Sequence, residues 1–373
     1  VWIHQIRVDG VTVGLEKWLS RAVIRHGRGA VHDEPTASTA TLTLLDPPGS
    51  FTHELGVGAE LEVDWTNEAT TPTILPRFRG RITDLELQDP ELTIIATGRL
   101  ATLKRDSVST AGWTALPWSE SVARLLEACD AGPYAVIAPN DWDPILEPPP
   151  EEEIAVNGYL TELGYAVGAA IYDEHDGTIV VDALGSRDEG RVVIALAPAN
   201  VRHSPTWTQE LSITNRVTVI YGATRETSVT VSDAESVAQY GPRRLELTTT
   251  LQNEDDARRR ATERLERGAW PRWQLQPIQL LAATIDPFRI GRRVSLTQLP
   301  PSAPYPSFRP VLEGWADIID GPTWAMELWC SDPLASGFMA RWQDAGDTTD
   351  WDDLAADLQW QDVTSPEQIG GFP

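Results

Sequence analysis

Apolar and polar residues alternate with a period of two through the N-terminal quarter of the chain. Ala40, Leu42 and Leu44 alternate with Thr39, Thr41 and Thr43, and Leu61, Val63 and Trp65 alternate with Glu60, Glu62 and Asp64. This period predicts strands with one buried face. Between them, Asp46-Pro47-Pro48-Gly49 supplies turn chemistry. A third strand from Phe78 to Leu87 changes phase, because Ile82 belongs to one alternation and Leu85 and Leu87 to the other. That change predicts a bulge near Thr83-Asp84. Thr93 to Thr97 makes a fourth strand, and several short strands in succession predict a small barrel or sandwich.

The period then lengthens. Behind Trp118-Ser119, the residues Val122, Leu125, Leu126 and Cys129 are spaced as one face of an amphipathic helix, with Ser119 as its cap. Pro148-Pro149-Pro150-Glu151-Glu152-Glu153 reads as a stiff acidic linker. A short helix around Leu160, Leu163 and Val167 leads into a hairpin, with Ala170 to Tyr172 and Ile179 to Leu184 flanking Asp176-Gly177. A second β region opens at Leu211, with Val217, Val219 and Tyr221, then Thr227 to Val231 and Leu245 to Leu251. One long helix over 253–267 interrupts it. Asn253 caps that helix, and Glu254–Arg258, Asp255–Arg259 and Asp256–Arg260 are acid-before-base pairs at i,i+4. Ala257, Ala261 and Leu265 form its inner stripe. Strands around Gln274 to Leu280, Arg293 to Thr297, and through Trp315 and Trp324 to Trp329 complete the region.

Charge sharpens this division. The chain has 55 acidic against 30 basic residues, a formal net charge of −25. Such a surface repels phosphate and anionic lipid, which argues against stable nucleic-acid or membrane binding. The excess is uneven: no Lys or Arg occurs from Leu125 to Ser186, and residues 344–373 hold eight acidic side chains and no basic one. At 41% hydrophobic and 23% charged the chain still has a globular composition. No apolar stretch approaches the roughly 18 residues of a spanning helix. The start, Val1-Trp2-Ile3-His4, lacks the pattern of a secretory signal. Cys129 and Cys330 are too few for a disulfide scaffold and read as buried small hydrophobes of a chain folded in a reducing cytoplasm.

Candidate chemistry is sparse. The histidines at 4, 26, 32, 53, 175 and 203 share no ligand spacing with cysteine or with each other, so no metal is expected. GxSxG and Walker-type loops are absent, and Gly27-Arg28-Gly29 precedes a strand and so reads as a turn. No catalytic residue and no cofactor is assigned. Paired carboxylates and 15 tryptophans leave open a glycoside hydrolase or a carbohydrate-binding module.

The C-terminal tryptophans are the most ordered motif. Trp342-Gln343-Asp344, Trp351-Asp352-Asp353 and Trp360-Gln361-Asp362 recur every nine residues. Nine residues advance a helix by about 900°, which puts successive tryptophans on opposite faces, and an odd period alternates faces in a strand as well. Trp342, Trp351 and Trp360 are therefore expected to anchor separate docking segments of a multivalent strap.

The order of elements resembles that of a known family. Ile24-Arg25-His26-Gly27-Arg28, Thr39 to Leu44, Gly58 with Leu61-Glu62-Val63, and Phe78-Arg79-Gly80-Arg81-Ile82 look like the opening of minor tail proteins from long-tailed (siphovirus-type) actinobacterial phages. Leu160 to Gly168 with Tyr172-Asp173 and Asp176-Gly177 resembles the helix and hairpin of those proteins. Asn215 to Val219, Asp233 to Ser236 with Tyr240-Gly241, the helix Asp255 to Leu265 and Ile290-Gly291 continue the likeness, which spans most of residues 20–330. The resemblance implies an α+β, β-dominated tail-tip (baseplate) hub with two tail-tube-like β-barrel domains. The expected units are a first barrel at 1–105, an acidic inserted α/β unit at 106–205, a second barrel at 206–331 and an acidic strap at 332–373. It implies a non-enzymatic virion protein, typically a homotrimer, assembled in the bacterial cytoplasm. Such a hub contacts the distal tail protein ring, the tape-measure protein and other minor tail proteins, and DNA passes it without binding during ejection. Glu151, Glu152 and Glu153 are the candidate acidic cluster, on a channel wall or an outer surface. A carbohydrate-binding receptor protein of the tail tip is the alternative.

Overall fold

The computed structural model describes residues 2–29, 36–49, 55–67, 73–138, 142–149, 152–183, 191–195, 200–209, 213–281, 290–303, 308, 310–321 and 323–331. Trp342, Trp351, Trp360 and Glu151 lie outside the described residues.

Most of the β-structure belongs to one 12-stranded sheet. Its path runs Arg191–Ala195, Arg293–Thr297, Val311–Asp320, Leu19–Gly27, Thr39–Leu45, Glu91–Thr97, Thr73–Gln88, Glu60–Asn67, Trp2–Val8 and Val11–Thr12, with Thr323–Ser331 and Ile278–Leu281 branching from Val311–Asp320. The alternation fixes which face is inside. Ala40, Leu42 and Leu44, and three strands along the sheet Leu61, Val63 and Trp65, all point into one core with Ile24, Ile94 and Phe78. The phase change in the long strand is a register shift between Ile82 and Asp84, as its hydrophobic pattern requires.

Two separate barrels were expected, and among the described residues no closed barrel forms. Strand Leu19–Gly27 pairs with Thr39–Leu45 on one edge and gives its other edge to Val311–Asp320, from the far end of the chain. The N-terminal and C-terminal β regions thereby share a sheet.

Paired glycines make the seam possible. Gly27 lies opposite Gly314 where the two strands meet, and Gly27 has φ of +75°. A Cβ on Gly314 would stand 2.7 Å from the carbonyl oxygens of His26 and Arg28, and neither backbone can retreat without opening the ladder. Gly314→Ala is expected to cost about 1–3 kcal/mol, the range for forced overpacking. A chemical-denaturation midpoint equal to that of the parent chain would contradict this tight approach.

The middle of the chain builds a second core. Helix Trp118–Ala128 and helix Val156–Val167 pack on the sheet formed by Tyr134–Ile137, Ala170–Asp173 and Ile179–Asp182, where the expected hairpin is found. The first helix starts two residues earlier than a Ser119 cap would place it. Pro117 precedes it, and Ser119, expected as the cap, instead binds Asp143 through its amide (3.0 Å) and its hydroxyl (2.6 Å). The buried indole of Trp118 explains the early start, since it fills the core and donates to the Leu163 carbonyl at 2.8 Å.

The proline-glutamate stretch is tied down more than a linker would be. Glu153–Ala155 pairs with Ser107–Ser109, and the Glu147 amide donates to the Thr250 carbonyl. The long helix spans Glu254–Gly268, capped by Asn253, whose side chain accepts from the Asp256 amide. Of its three expected i,i+4 pairs, Glu254–Arg258 is present. Arg259 and Arg260 turn to Glu263 instead, and Asp256 accepts from the Trp142 indole at 2.7 Å. Ala257, Ala261 and Leu265 are buried as their spacing requires, in the same core as the two middle helices. Both cysteines are free and half-buried, and burial pushes the Cys330 thiol up to about 12, so it stays protonated.

Candidate functional site

The seam between the two β regions is the most chemically unusual place in the fold. On its inner face, His26 lies opposite Trp315, Ile24 opposite Asp317 and Ala22 opposite Ile319. Arg77 enters this face from the strand Thr73–Gln88. Val63 pairs with Phe78 while the adjacent Asp64 pairs with Pro76, so Arg77 is the extra residue of a bulge. Pro76 has no amide hydrogen to give the ladder, and the bulge turns Arg77 inward.

Arg77 is fully buried in a box of tryptophans. Its guanidinium carbon lies 4.6 Å from the ring centre of Trp65, 5.5 Å from Trp315 and 5.7 Å from Trp324. Its Nε is 4.0 Å from Asp317 Oδ2, also fully buried, and Asp317 Oδ1 accepts from the Trp324 indole at 2.9 Å. The faces of three indoles thus supply much of the negative potential that water would supply outside. Burial lowers the Arg77 pKa and pushes the Asp317 carboxyl up to about 6 against the pull of Arg77.

The polar line continues into the α/β unit. His26 Nε2 donates to the Arg77 carbonyl at 2.7 Å, and Nδ1 lies 2.8 Å from the Ser38 hydroxyl oxygen, which is also 3.1 Å from the Asp173 carbonyl oxygen. The Ser38 amide donates to Asp173 Oδ2 at 2.9 Å, and the Leu100 amide donates to Asp173 Oδ1 at 2.8 Å. Arg28 and Glu313 form a second buried tie, at 2.8 Å, with Glu313 also accepting from the Ser331 hydroxyl. One chain of contacts therefore binds both β regions to the middle unit. It is a clamp of buried groups across the seam, in which the guanidinium nitrogens of Arg77 and Asp317 Oδ2 have no hydrogen-bond partner and are held by the indole faces and by each other's charge.

Two members titrate in opposite senses. Burial holds His26 neutral, down to about 3, and pushes Asp173 up to about 6. The His26 contribution is complete above its unfolded value of about 6.5 and is lost as the pH falls toward 3, because only the unfolded chain then takes the proton. Asp173 and Asp317 act oppositely: their penalty is absent below about 4 and grows as the pH rises to about 6. The cost of His26→Gln is expected to shrink between pH 6.5 and 4 by up to about 1.4 kcal/mol per pH unit. Denaturant unfolding at several pH values checks this, and a pH-independent cost would refute a neutral buried His26.

The sequence pattern did not single out this site. Asp64 was expected on the polar face. It is fully buried, held by Arg7 Nη2 at 2.6 Å and Arg79 Nη2 at 2.5 Å, with Glu62 beside both arginines. The available signal was Pro76 inside a strand pattern, next to a charged residue. Of the predicted acidic cluster, Glu152 and Glu153 are exposed, and Glu153 accepts from the Ser107 hydroxyl at 2.7 Å. Among the described residues, no three His, Cys, Asp or Glu side chains are grouped to hold a metal ion, and no helix is long and apolar enough to cross a membrane.

Among tryptophans with described side chains, only Trp270 and Trp273 are classed as exposed, each 37% accessible. Tyr240 and Trp270 meet edge-on at 81°, which does not form the flat platform a sugar ring would stack on.

The architecture has clear counterparts. A tail protein from Neisseria meningitidis superposes with a TM-score of 0.64 at 15% identity, over 90% of this chain and 98% of its own. The chain shares a tail-protein fold. The 43 kDa tail protein of prophage MuSo2 from Shewanella oneidensis gives 0.61 at 13% identity, over 89% of this chain and 99% of its own. An Escherichia coli type VI secretion component, described as structurally similar to bacteriophage T4 tail proteins, gives 0.52 at 11% identity, covering 88% and 76%. No family model matches the sequence, and no curated protein matches it.

Proposed function

We propose that this protein is a structural virion component, the hub of a phage tail tip. It connects the distal tail ring and the tape-measure protein to the host-facing tip and forms part of the channel through which DNA leaves. The observation that carries this reading is the shared fold, end to end, with tail proteins from two different bacteria. The clamp fits the role. A hub transmits force between its neighbours, and a molecule whose terminal β regions share one sheet around a buried Arg–Trp box deforms as a unit.

In this reading three copies close a ring, and the tube-like barrels are completed between copies by sheets that stay open in one chain. The carboxylate excess keeps DNA from sticking to the walls it passes. The protein is assembled in the bacterial cytoplasm and performs no catalysis. Purified tails provide the test. The chain should co-purify with tails in fixed stoichiometry, and gold-labelled antibody should mark the tip. Intact, infectious tails lacking the chain would overturn the proposal.

A further inference from the structure

One sheet edge lacks the usual protection. The strands Arg216–Tyr221, Thr227–Ser232 and Arg244–Thr248 form a three-stranded sheet with Arg216–Tyr221 at its centre, so Thr227–Ser232 is an edge. The opposite edge carries Arg244 and Glu246, charges of the kind that blunt such a strand. Thr227-Ser228-Val229-Thr230-Val231-Ser232 has no charge, proline or glycine. Val229 and Val231 pack into the core with the long helix, while Thr227, Ser228, Thr230 and Ser232 are exposed.

The hydrogen-bond phase shows which backbone groups point outward. The Asp233 amide donates to the Asn215 carbonyl, which makes that opposed pair a hydrogen-bonded one. By alternation along the register, Val231, Val229 and Thr227 bond inward to Val217, Val219 and Tyr221. The other side of the central strand agrees, since the Ile220 carbonyl accepts from the Thr249 amide and so faces away from Thr227–Ser232. Ser228, Thr230 and Ser232 therefore aim their amides and carbonyls off the sheet, and among the described residues no backbone group meets them.

We propose that this edge pairs antiparallel with the same strand of a second copy, around a twofold axis at Thr230. Only this register joins all the outward groups: Thr230 meets its own counterpart, and Ser228 meets the counterpart of Ser232. Val229 then lies beside the counterpart of Val231 on the helix side, which extends the apolar face. Hydroxyl pairing between strands already occurs in the fold, where Thr218 and Thr230 meet at 2.9 Å. The flanking acids avoid each other, because Glu226 falls opposite Ala234 and Asp233 opposite Thr227. The long helix lies over both Arg216–Tyr221 and Thr227–Ser232. Ordinary strand spacing therefore sets the helices of the two copies about 10 Å apart, a normal packing distance. The contact does not depend on the hub reading; within that reading, it joins one threefold ring to a second.

Disulfide trapping in the full chain tests this. Thr230→Cys places two thiols in an opposed pair with Cα atoms about 5.5 Å apart, within bridging range, and mild oxidation should convert most of the chain to a covalent dimer. Thr227→Cys sits about 20 Å from its counterpart and should not link. The parent chain, with its free Cys129 and Cys330, should not link either. Thr230→Pro removes an outward amide but no ladder bond, which an edge strand tolerates, and Thr230→Lys sets two ammonium groups against each other. Each of these two substitutions should halve the particle mass in analytical ultracentrifugation. Absence of a disulfide at 230, equal linking from 227, or a mass that neither substitution lowers would each overturn the proposal.

Discussion

Arg77→Ala is expected to cost about 3–5 kcal/mol of stability, the range for breaking a buried ion pair from one side. Two penalties add. The box of Trp65, Trp315 and Trp324 becomes a cavity, and Asp317 is left buried without the cation that favours its charged form. Arg77→Met fills much of the volume but not the charge. Combined with Asp317→Leu it should recover most of the loss, because a well-packed apolar pair often replaces a buried ion pair at little cost. The readout is chemical denaturation followed by tryptophan fluorescence, which this box should dominate. Recovery in the double variant separates an electrostatic clamp from mere packing. If Arg77→Ala stayed within about 0.5 kcal/mol of the parent, as a typical surface substitution does, the buried box would be wrong.

The second large effect is in the middle unit. Trp118→Ala should cost about 3–5 kcal/mol, as for other buried aromatic truncations. Trp118 is fully buried and bridges two helices, with its indole on the Leu163 carbonyl. Trp118→Phe keeps much of the apolar area and loses the hydrogen bond, so its cost should fall well below that of Ala. Equal costs for Phe and Ala would assign the whole effect to the indole's hydrogen bond and contradict the packing role.

The regular elements were legible because burial there follows simple periods. Ala40, Leu42 and Leu44 alternate, Ala257, Ala261 and Leu265 recur on one helical face, and the bulge at Thr83-Asp84 shows as a phase slip. The clamp was not legible, since each of its members breaks the local rule for a reason that lies far away in sequence. Asp317 and Arg77 read as ordinary polar strand positions until residues 240 apart meet. The shared sheet was hidden for the same reason: a strand's pattern names its buried face but not the neighbour on each edge. Ser119 misled because a serine before an apolar helical run is a cap signal, while the helix, with the Trp118 indole in the core, begins two residues sooner.

The central claim is that this chain works as a structural hub, and a reconstruction of the tail tip by electron microscopy tests it most directly. Three copies around the tail axis, enclosing a central passage with the shared sheets facing inward, is the predicted result. A tip in which the chain is absent, or present as isolated peripheral copies with no contact to the axis, would contradict it.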